Sequence, residues 1–352
     1  MPRPSVLQVL DSLEVGGAQR VALHLSRWCV ENDIACTLAA PRGPLLRELP
    51  VGVRFLERHG RGLVGQAREL RHLRDMSGAT VVHAHQRHDA LLAHLALGWG
   101  APVVEHAHTV LSERSRVLDP LSFRSRMIFA VSPAVATMVT EDFGRDPSRV
   151  EMIGNPIGRD MFADDDHRGR RPGGRRPMQV VALGRLVEQK DPGRFVDVVE
   201  ALVRRRLPVE ASWYGQGPLE AEVRAAAAAR RLPVRFLPPV PDVRPVLDRA
   251  DVLVMTSRFE GTPLVALEAF ARRTPVVATS SSGSDGVLGG GRAVVLPDTA
   301  DPVSFAEAVV GVCRDSVDVD TMTSRAARFA LVEAHPDRVF APVGRVYREM
   351  HG

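Results

Sequence analysis

Short apolar segments alternate with segments of helical periodicity along almost the whole chain, and this alternation limits the available folds more than any other feature. Runs such as Val6-Leu-Gln-Val-Leu10 predict buried strands, and the alanine-rich run at 221–231 predicts a helix. The predicted strands lie at 5–10, 34–39, 51–56, 80–85, 102–105, 127–131, 150–153, 180–183, 210–213, 234–237, 252–255, 275–278 and 293–296. Strands that alternate with helices favour a parallel, doubly wound sheet, so we predict an α/β fold.

The alternation stops once, at residues 159–177, which are charged, rich in glycine and proline and without apolar periodicity. Such a composition is typical of a linker. Asp164-Asp165-Asp166 within it resembles a metal-binding cluster, although a solvated run of charges explains it more simply. We therefore predict a domain at 1–160, a linker at 161–177, a second domain at 178–333, and a C-terminal helix at 334–352 that packs back towards the first domain. Because ligands bind at the carboxyl ends of parallel strands, two such sheets would hold a ligand in the cleft between them.

Composition excludes several classes of protein. The 352 residues are 45% apolar and 25% charged, as in a globular protein of two domains. No segment approaches the roughly 18 apolar residues of a membrane span, and the N-terminus has no signal-peptide pattern. Three cysteines without metal-ligand spacing indicate free thiols in a reducing cytoplasm. The net charge is +4, but only 5% of residues are aromatic and no recognition module is present, so we expect no nucleic-acid partner.

The stretch from Met255 to Phe270 is the strongest candidate for a ligand site. A predicted strand leads into a polar loop, and a helix follows, with Pro263 suited to its first turn. A helix N-terminus after a tight loop binds anions, usually phosphate, through free N–H groups. Glu260 in the loop and Glu268 in the helix flank this site. A carboxylate beside a phosphate pocket suits sugar hydroxyls, which donate hydrogen bonds to it.

A second loop carries two cations. Arg185 and Lys190 lie five residues apart between a predicted strand and a helix, a spacing suited to a pyrophosphate. Lys190 is the only lysine among 46 basic residues, which favours a specific role over solubility. Gly215, in the turn after another predicted strand, either lets a ligand approach the backbone or simply forms the turn. Gly16 and Gly17, between the first strand and the first helix, allow similar close approach.

Two pairs of histidines, His83 with His85 and His106 with His108, stand at the ends of predicted strands. A His-x-His pair is compatible with metal binding, but the spacing offers no third ligand, so we predict no metal site. A histidine beyond a strand end could instead hydrogen-bond a substrate oxygen or exchange a proton. The chain lacks the nucleophile elbow, the P-loop and the dinucleotide fingerprint, which argues against hydrolases, kinases and dehydrogenases.

Taken together, these residues resemble family 4 of the retaining glycosyltransferases. Glu260 through Glu268 is similar to the family's E-x7-E signature, and the order of the other motifs also matches. Those motifs are Gly184-Arg185 with Lys190, Gly215-Gln216-Gly217-Pro218, Gly16-Gly17-Ala18, Val82-His83-Ala84-His85, Val131-Ser132-Pro133 and Asn155-Pro156-Ile157. The resemblance spans nearly the whole chain. It implies the GT-B fold, in which two Rossmann-like doubly wound domains face a central cleft.

The resemblance also implies roles for individual residues. Arg185 and Lys190 would bind the diphosphate of a nucleotide-diphosphate sugar, helped by the backbone at Gly261, Thr262, Pro263, Leu264 and Val265. Glu260 would hold hydroxyls of the transferred sugar, Glu268 the ribose, and Gly17 would let its loop close over the phosphate. His108 matches the family's cleft histidine, with His106 as a rival. Gly158 stands where the family usually has aspartate, and Pro238 where it often has glycine.

The implied reaction is metal-independent transfer of the sugar to an acceptor hydroxyl with retention at the anomeric carbon, by front-face attack assisted by the departing phosphate. Fixed positive charge would stabilise the leaving diphosphate without a metal or other cofactor, and no credible D-x-D site is present. Closure about the linker would exclude water. Two alternatives stay open: a nucleotide-sugar 2-epimerase on the same fold, and a non-catalytic nucleotide-sugar-binding protein.

The acceptor side is less defined. The resemblance implies a glycan, a small glycoside or a lipid-linked acceptor, chosen by loops such as 109–125. Arg61, Arg68, Arg71 and Arg74 could form a basic helix face, although a solvated helix explains them more simply. We therefore expect a cytoplasmic protein with a possible peripheral contact at the inner face of the cell membrane.

Overall fold

The computed structural model describes residues 3–111, 119–162, 176–280, 284–314 and 317–352. Contacts within the chain define two compact units. The N-terminal unit consists of Met1–Ile157 together with His335–Gly352, and the second unit is Gly158–Ala334. The N-terminal unit is thus assembled from two separate pieces of chain, whereas the second is continuous. The predicted linker and its three aspartates lie mostly outside the described residues.

The N-terminal unit contains a sheet of seven parallel strands. They are β1 (Ser5–Val9), β2 (Ala35–Ala40), β3 (Arg54–Glu57), β4 (Val81–Ala84), β5 (Val103–Ala107), β6 (Met127–Ala130) and β7 (Val150–Met152). Its helices include α1 (Gly17–Glu31), α2 (Gly62–Ser77), α3 (Arg87–Leu97) and α4 (Pro133–Thr137). The strand order is β3-β2-β1-β4-β5-β6-β7, which reverses direction between β1 and β4. In open sheets of this kind, ligands bind at the carboxyl ends of the strands beside that switch point.

The second unit repeats the arrangement with six parallel strands. They are β8 (Met178–Leu183), β9 (Val209–Tyr214), β10 (Val234–Leu237), β11 (Val252–Met255), β12 (Val276–Thr279) and β13 (Val294–Leu296). The helices are α5 (Pro192–Arg204), α6 (Glu220–Ala229), α7 (Arg244–Arg249), α8 (Leu264–Ala271), α9 (Asp285–Leu288), α10 (Pro302–Cys313) and α11 (Val319–Glu333). The order β10-β9-β8-β11-β12-β13 places the switch point between β8 and β11.

The prediction of two doubly wound α/β sheets is confirmed, and each predicted strand is present. Strands such as β4, β11 and β12 are buried at every residue, because helices cover both faces of a parallel sheet. An apolar run without alternation is the pattern that such a strand needs. Cys29, Cys36 and Cys313 are buried free thiols.

The C-terminal helix α12 (Pro336–His351) packs in the N-terminal unit, against α1, β1 and β4. The Trp28 indole donates to Asp337 Oδ1 at 3.0 Å and its ring lies 6.0 Å from that of Phe340. A Cβ on Gly344 would lie 2.4 Å from Trp28 Cη2, so this helix crosses α1 at a residue without a side chain. Tyr347 is buried and its hydroxyl hydrogen-bonds His83 Nδ1.

None of the helices in the described ranges has the length and apolar content needed to cross a membrane.

Candidate active site

Two loops meet at the switch point of the second unit. β8 and β11 are paired neighbours, so the loops that leave their carboxyl ends start side by side. The Thr256 hydroxyl lies 3.0 Å from Lys190 O and 2.9 Å from Asp191 O, and Arg258 N donates to Gln189 O at 2.9 Å. These bonds hold residues 184–191 against residues 256–263. The sequence therefore brings its two strongest candidate segments into one site.

Lys190 and Glu260 form an ion pair across the two loops. The two side chains are only 18% and 7% exposed. The Lys190 stem packs against Gly184, whose φ of +148° is one that residues with side chains rarely adopt. The resemblance implied separate roles for Lys190 and Glu260, and their pairing was not predicted. The ammonium group offsets the cost of burying the Glu260 carboxylate.

Arg185 lies at the same edge of the sheet with an exposed side chain. Among the described residues, its guanidinium has no hydrogen-bond or ion-pair partner, so it is available to a ligand. Sequence reasoning missed a further cation, Arg258, which pairs with Asp191 Oδ2 at 3.1 Å. Its only sequence signal is its place two residues before Glu260.

The helix α8 begins directly after this loop. Pro263 occupies its N-cap and not its first turn, with extended backbone, and no side chain caps the helix. The N–H groups of Leu264 and Val265 find no acceptor in the described parts of the chain, as expected of a free helix N-terminus. Gly261 and Thr262 are partly buried in the loop, and Glu268 is half-buried one turn into the helix. This arrangement can bind an anion.

Gly215 supports the loop that carries Arg185. Its φ of +156° and a Cβ position 1.8 Å from Gly184 O exclude a side chain. Gly184 O also accepts a hydrogen bond from the Trp213 indole at 2.8 Å. Of the two interpretations of Gly215, close packing between two loops is therefore visible here, and contact with a ligand stays a prediction.

At the switch point of the N-terminal unit, Gly16 is the N-cap of α1 and Gly17 its first residue. Arg20 N donates to Gly16 O at 3.1 Å. The two glycines therefore form the start of a helix of 15 residues that follows the β1 end without a side-chain cap. Such a helix start is suited to an anion, and the close approach of a ligand to Gly16 and Gly17 stays a prediction.

The two histidine pairs form one stack at the neighbouring ends of β4 and β5. Ring centroids are 4.6 Å apart for His83 and His85, 4.2 Å for His106 and His108, and 5.4 Å for His85 and His108. β4 and β5 pair as His83 with Val104 and Ala84 with Glu105, which puts all four histidines on one face. Sequence reasoning treated the pairs separately because it did not fix this register.

Burial keeps the four rings neutral. It lowers the pKa values of His83, His85 and His106 well below the usual value, with a further contribution from neighbouring histidines, and lowers the pKa of His108 to about 3. His106 is 1% exposed, whereas His108 is only partly buried. Of these two rivals, His108 is the one that a ligand can reach.

Nitrogens of His83, His85 and His106 lie within 4.8 Å of one another, which suggests a metal site. A metal ion, however, binds in the plane of each imidazole ring. The His83 and His85 rings are stacked with planes only 18° apart, and those of His85 and His106 only 23° apart. In this arrangement their lone pairs do not converge on one ion.

Two family models match the chain. One described as Glycosyltransferase Family 4 matches residues 15–160, and one described as Glycosyl transferases group 1 matches residues 177–315. A D-inositol 3-phosphate glycosyltransferase of Paenarthrobacter aurescens is 28% identical over 283 residues, 70% of this chain and 69% of that protein. Three further enzymes of that name are 28–29% identical, and the match spans 58–63% of their length.

Solved structures share the fold over almost the whole chain. A glycosyltransferase of Rickettsia africae superposes with a TM-score of 0.82 at 15% identity, covering 100% of this chain and 99% of the other. HepE of Anabaena in complex with UDP-glucose has a TM-score of 0.81 at 16% identity, covering 98% and 99%. The two models together cover most of the chain, and the chain belongs to glycosyltransferase family 4 with the GT-B fold.

Proposed function

We propose that this protein transfers a sugar from a nucleotide-diphosphate sugar to an acceptor hydroxyl with retention at the anomeric carbon. The observation that carries this proposal is the Lys190–Glu260 pair at the switch point of the second unit. The Lys190 ammonium group suits a phosphate, and the Glu260 carboxylate suits sugar hydroxyls. A single ligand that offers both groups side by side is a sugar phosphate.

In this proposal, positive groups fixed by the protein hold the diphosphate. Arg185 is exposed, Lys190 lies beside it, and the Leu264 and Val265 N–H groups begin α8. No metal ion is needed for the charge of the leaving group. One D-x-D run, at Asp318 and Asp320, begins α11, where Asp318 accepts from Thr321 N at 3.0 Å and so acts as a helix cap.

The proposed step occurs on one face of the sugar. The bond between the anomeric carbon and the β-phosphate oxygen breaks, and the electron pair leaves with the diphosphate. The acceptor hydroxyl oxygen bonds to the anomeric carbon from the same face, and its proton passes to the departing phosphate oxygen. Glu260 holds hydroxyls of the sugar and does not attack it. Glu268 contacts the ribose, and His108 contacts the sugar or the phosphate.

The comparisons suggest which substrates to test first. HepE, which has the same fold, binds UDP-glucose, so UDP-sugars are the first donors. D-inositol 3-phosphate is the first acceptor, since several relatives are named for it. Glycans, small glycosides and lipid-linked sugars follow. The match covers only part of the length of these relatives, so their acceptor is proposed for this chain and is not carried over as a fact.

A thermal-shift panel of UDP-, GDP- and ADP-sugars with EDTA tests donor binding, because a ligand of the native state raises the melting temperature. We expect one nucleotide class to stabilise the wild type, with no effect of EDTA. Lys190→Met should lose this shift, whereas the matched control Arg205→Met, on the surface of the same unit, should keep it. No shift with any donor would contradict the proposal.

Two other functions have distinct products. A 2-epimerase would convert the donor to its epimer without an acceptor, which NMR of the nucleotide sugar detects. A non-catalytic binding protein would give the thermal shift but no turnover with any acceptor. Transfer with an α-linked product from an α-linked donor supports the proposal over both.

We further propose a peripheral contact with the inner face of the cell membrane, through α2. Leu63 and Val64 are 51% and 62% exposed at its start, and Arg61 and Arg68 are exposed beside them. Arg71 and Arg74 contribute less, because Arg71 donates to Ala96 O and Arg74 pairs with Asp75. The wild type should co-sediment with vesicles that contain anionic lipid at low salt, whereas the double variant Leu63→Ser/Val64→Ser should stay in the supernatant. Equal sedimentation of both would contradict this contact.

A further inference from the structure

His108 ends a chain of buried hydrogen bonds that begins at the main chain of α1. Gln8, on β1, is fully buried, and its side-chain amide lies between α1 and His85. His85 in turn lies 3.1 Å from His108, between Nδ1 of the first ring and Nε2 of the second. Gln8 and His85 are 0% and 2% exposed, so water does not compete for these bonds.

Main-chain groups of α1 determine the orientation of the Gln8 amide. With its nitrogen towards Ala22, the amide donates to Ala22 O at 3.3 Å and to His85 Nε2 at 2.8 Å. Its oxygen then accepts from Ser26 N at 3.3 Å and from Ser26 Oγ at 2.9 Å. The reverse orientation would let the amide nitrogen donate to Ser26 Oγ at 2.9 Å and to Cys36 Sγ at 3.2 Å. It would, however, place the amide oxygen against the carbonyl oxygen of Ala22, 3.3 Å away. We therefore assign the first orientation from the hydrogen-bond network.

This orientation fixes the protons of both rings. His85 Nε2 accepts from Gln8, and a neutral imidazole carries one N–H, so the proton of His85 is on Nδ1. That N–H donates to His108 Nε2. The proton of His108 must then be on its own Nδ1, which has no hydrogen-bond partner among the described residues.

We propose that Gln8 and His85 are positioning residues that hold His108 as the tautomer protonated at Nδ1, so that His108 donates a hydrogen bond to a substrate oxygen. The inference rests on the proposed transferase function. His108 then takes no proton from the acceptor hydroxyl, because its Nε2 lone pair is occupied by His85. This agrees with a front-face step, in which the departing phosphate takes that proton.

Burial supports this role, since it lowers the pKa values of His85 and His108 and so keeps both rings neutral near pH 7. A neutral imidazole in water exchanges between two tautomers, and one of them would present an acceptor at Nδ1. Holding a single tautomer keeps the donor in place before the substrate binds.

NMR of the full-length protein with ¹⁵N-labelled histidine tests the tautomer directly. We expect the His108 signals, identified by their loss in His108→Asn, to show the proton on Nδ1. In Gln8→Met no amide donates to His85 Nε2, so His85 is no longer held in one tautomer. The His108 ring should then show both tautomers. Gln179→Met, which removes an amide bonded to Glu210 at the surface, is the matched control. A proton on Nε2 in the wild type, or an unchanged ring in Gln8→Met, would overturn the proposal.

The kinetics of two His108 variants test the role of the Nδ1 donor without changing Gln8 or His85. The amide nitrogen of asparagine can occupy the place of Nδ1, whereas that of glutamine reaches the place of Nε2. We expect His108→Asn to keep at least about tenfold more kcat/KM than His108→Gln, the equivalent of one hydrogen bond to substrate. Equal or reversed values would overturn the role of Nδ1. If the wild type transfers no sugar at all, the proposed function fails, and the NMR result still decides the tautomer.

Discussion

At the scale of single residues, the pairing of Lys190 with Glu260 changes how the site is understood. Sequence alone gives each residue a separate ligand group, a phosphate for Lys190 and sugar hydroxyls for Glu260, and does not say how the carboxylate is stabilised when no ligand is bound. The pair shows how that carboxylate is tolerated without a ligand. A bound diphosphate would compete with Glu260 for the ammonium group, and sugar hydroxyls would then satisfy the carboxylate. We expect donor binding to depend on both residues together.

A double-mutant cycle measures this coupling. Lys190→Met leaves a buried carboxylate without its partner and should cost about 1–3 kcal/mol of unfolding free energy. Glu260→Gln should cost less, because the ammonium group that it leaves unpaired is more exposed than the carboxylate, 18% against 7%. In the double variant the two effects should not add, as chemical denaturation of all four proteins will show. Additive losses would mean that the two side chains do not interact in solution.

Glu105 gives a second prediction at this scale. It is 1% exposed on β5, and burial raises its pKa to about 8, although Ser125 Oγ donates to it at 3.3 Å. Between pH 4.5 and about 8 the folded state keeps a proton that the unfolded state loses, so stability falls as pH rises through this window.

Glu105→Gln stays neutral and should lack this loss. Its unfolding free energy relative to wild type should rise by up to about 5 kcal/mol between pH 4.5 and 8. Glu349→Gln, an exposed carboxylate of the same unit, is the control. Wild-type and Glu105→Gln stability curves that stay parallel over this range would show that Glu105 ionises normally.

At the scale of elements, the positions of the strands in the sequence were predictable, but the register between strands and the side-chain contacts that it produces were not. An apolar run such as Val252–Met255 is buried on both faces, so its composition alone identifies it. The stack of His83, His85, His106 and His108 depends on the register between β4 and β5, which no local pattern encodes. The same holds for Lys190 and Glu260, which lie 70 residues apart. The two loops that the sequence singled out do lie together in the candidate site, but the sequence did not predict which of their side chains pair.

Glycines show how position decides the effect of one methyl group. Gly215→Ala would place a Cβ 1.8 Å from Gly184 O at a φ of +156°. It should destabilise the second unit by about 3 kcal/mol or more and displace the loop that carries Arg185. Gly65→Ala, within α2, meets nothing within 4 Å and should stabilise the chain by about 0.5–1 kcal/mol. Thermal unfolding of both variants tests the contrast; a neutral Gly215→Ala would show that the two loops move apart easily.

At the scale of the whole molecule, the units do not follow the order of the chain. The last 18 residues, 335–352, belong with residues 1–157, and the segment between them forms a unit of its own. The reason is local: α12 covers β4 and α1, where Tyr347 and Trp28 are buried. An N-terminal unit without α12 would expose the face that holds His83.

A chain that ends at Ala334 tests this. We expect amide hydrogen exchange in α1, β1 and β4 to lose protection, while β8 and β11 keep theirs. Gly344→Leu, which would contact the Trp28 ring, should have a weaker effect in the same direction. Glu349→Gln, exposed on the same helix, should have none. Equal loss of protection in both sheets would show that the two units unfold as one.

The return of α12 to the N-terminal unit also affects how the protein is made. A ribosome synthesises residues 1–157 before residues 158–334, yet the helix that completes the packing of residues 1–157 follows both. Residues 158–334 are contiguous and can fold while that helix is still being synthesised. We therefore expect the second unit to complete its folding before the N-terminal unit does, in contrast to the usual order of domain folding during translation. Before α12 is in place, the N-terminal unit exposes apolar surface around Trp28, and exposed surface of this kind in an incomplete domain favours aggregation and chaperone binding.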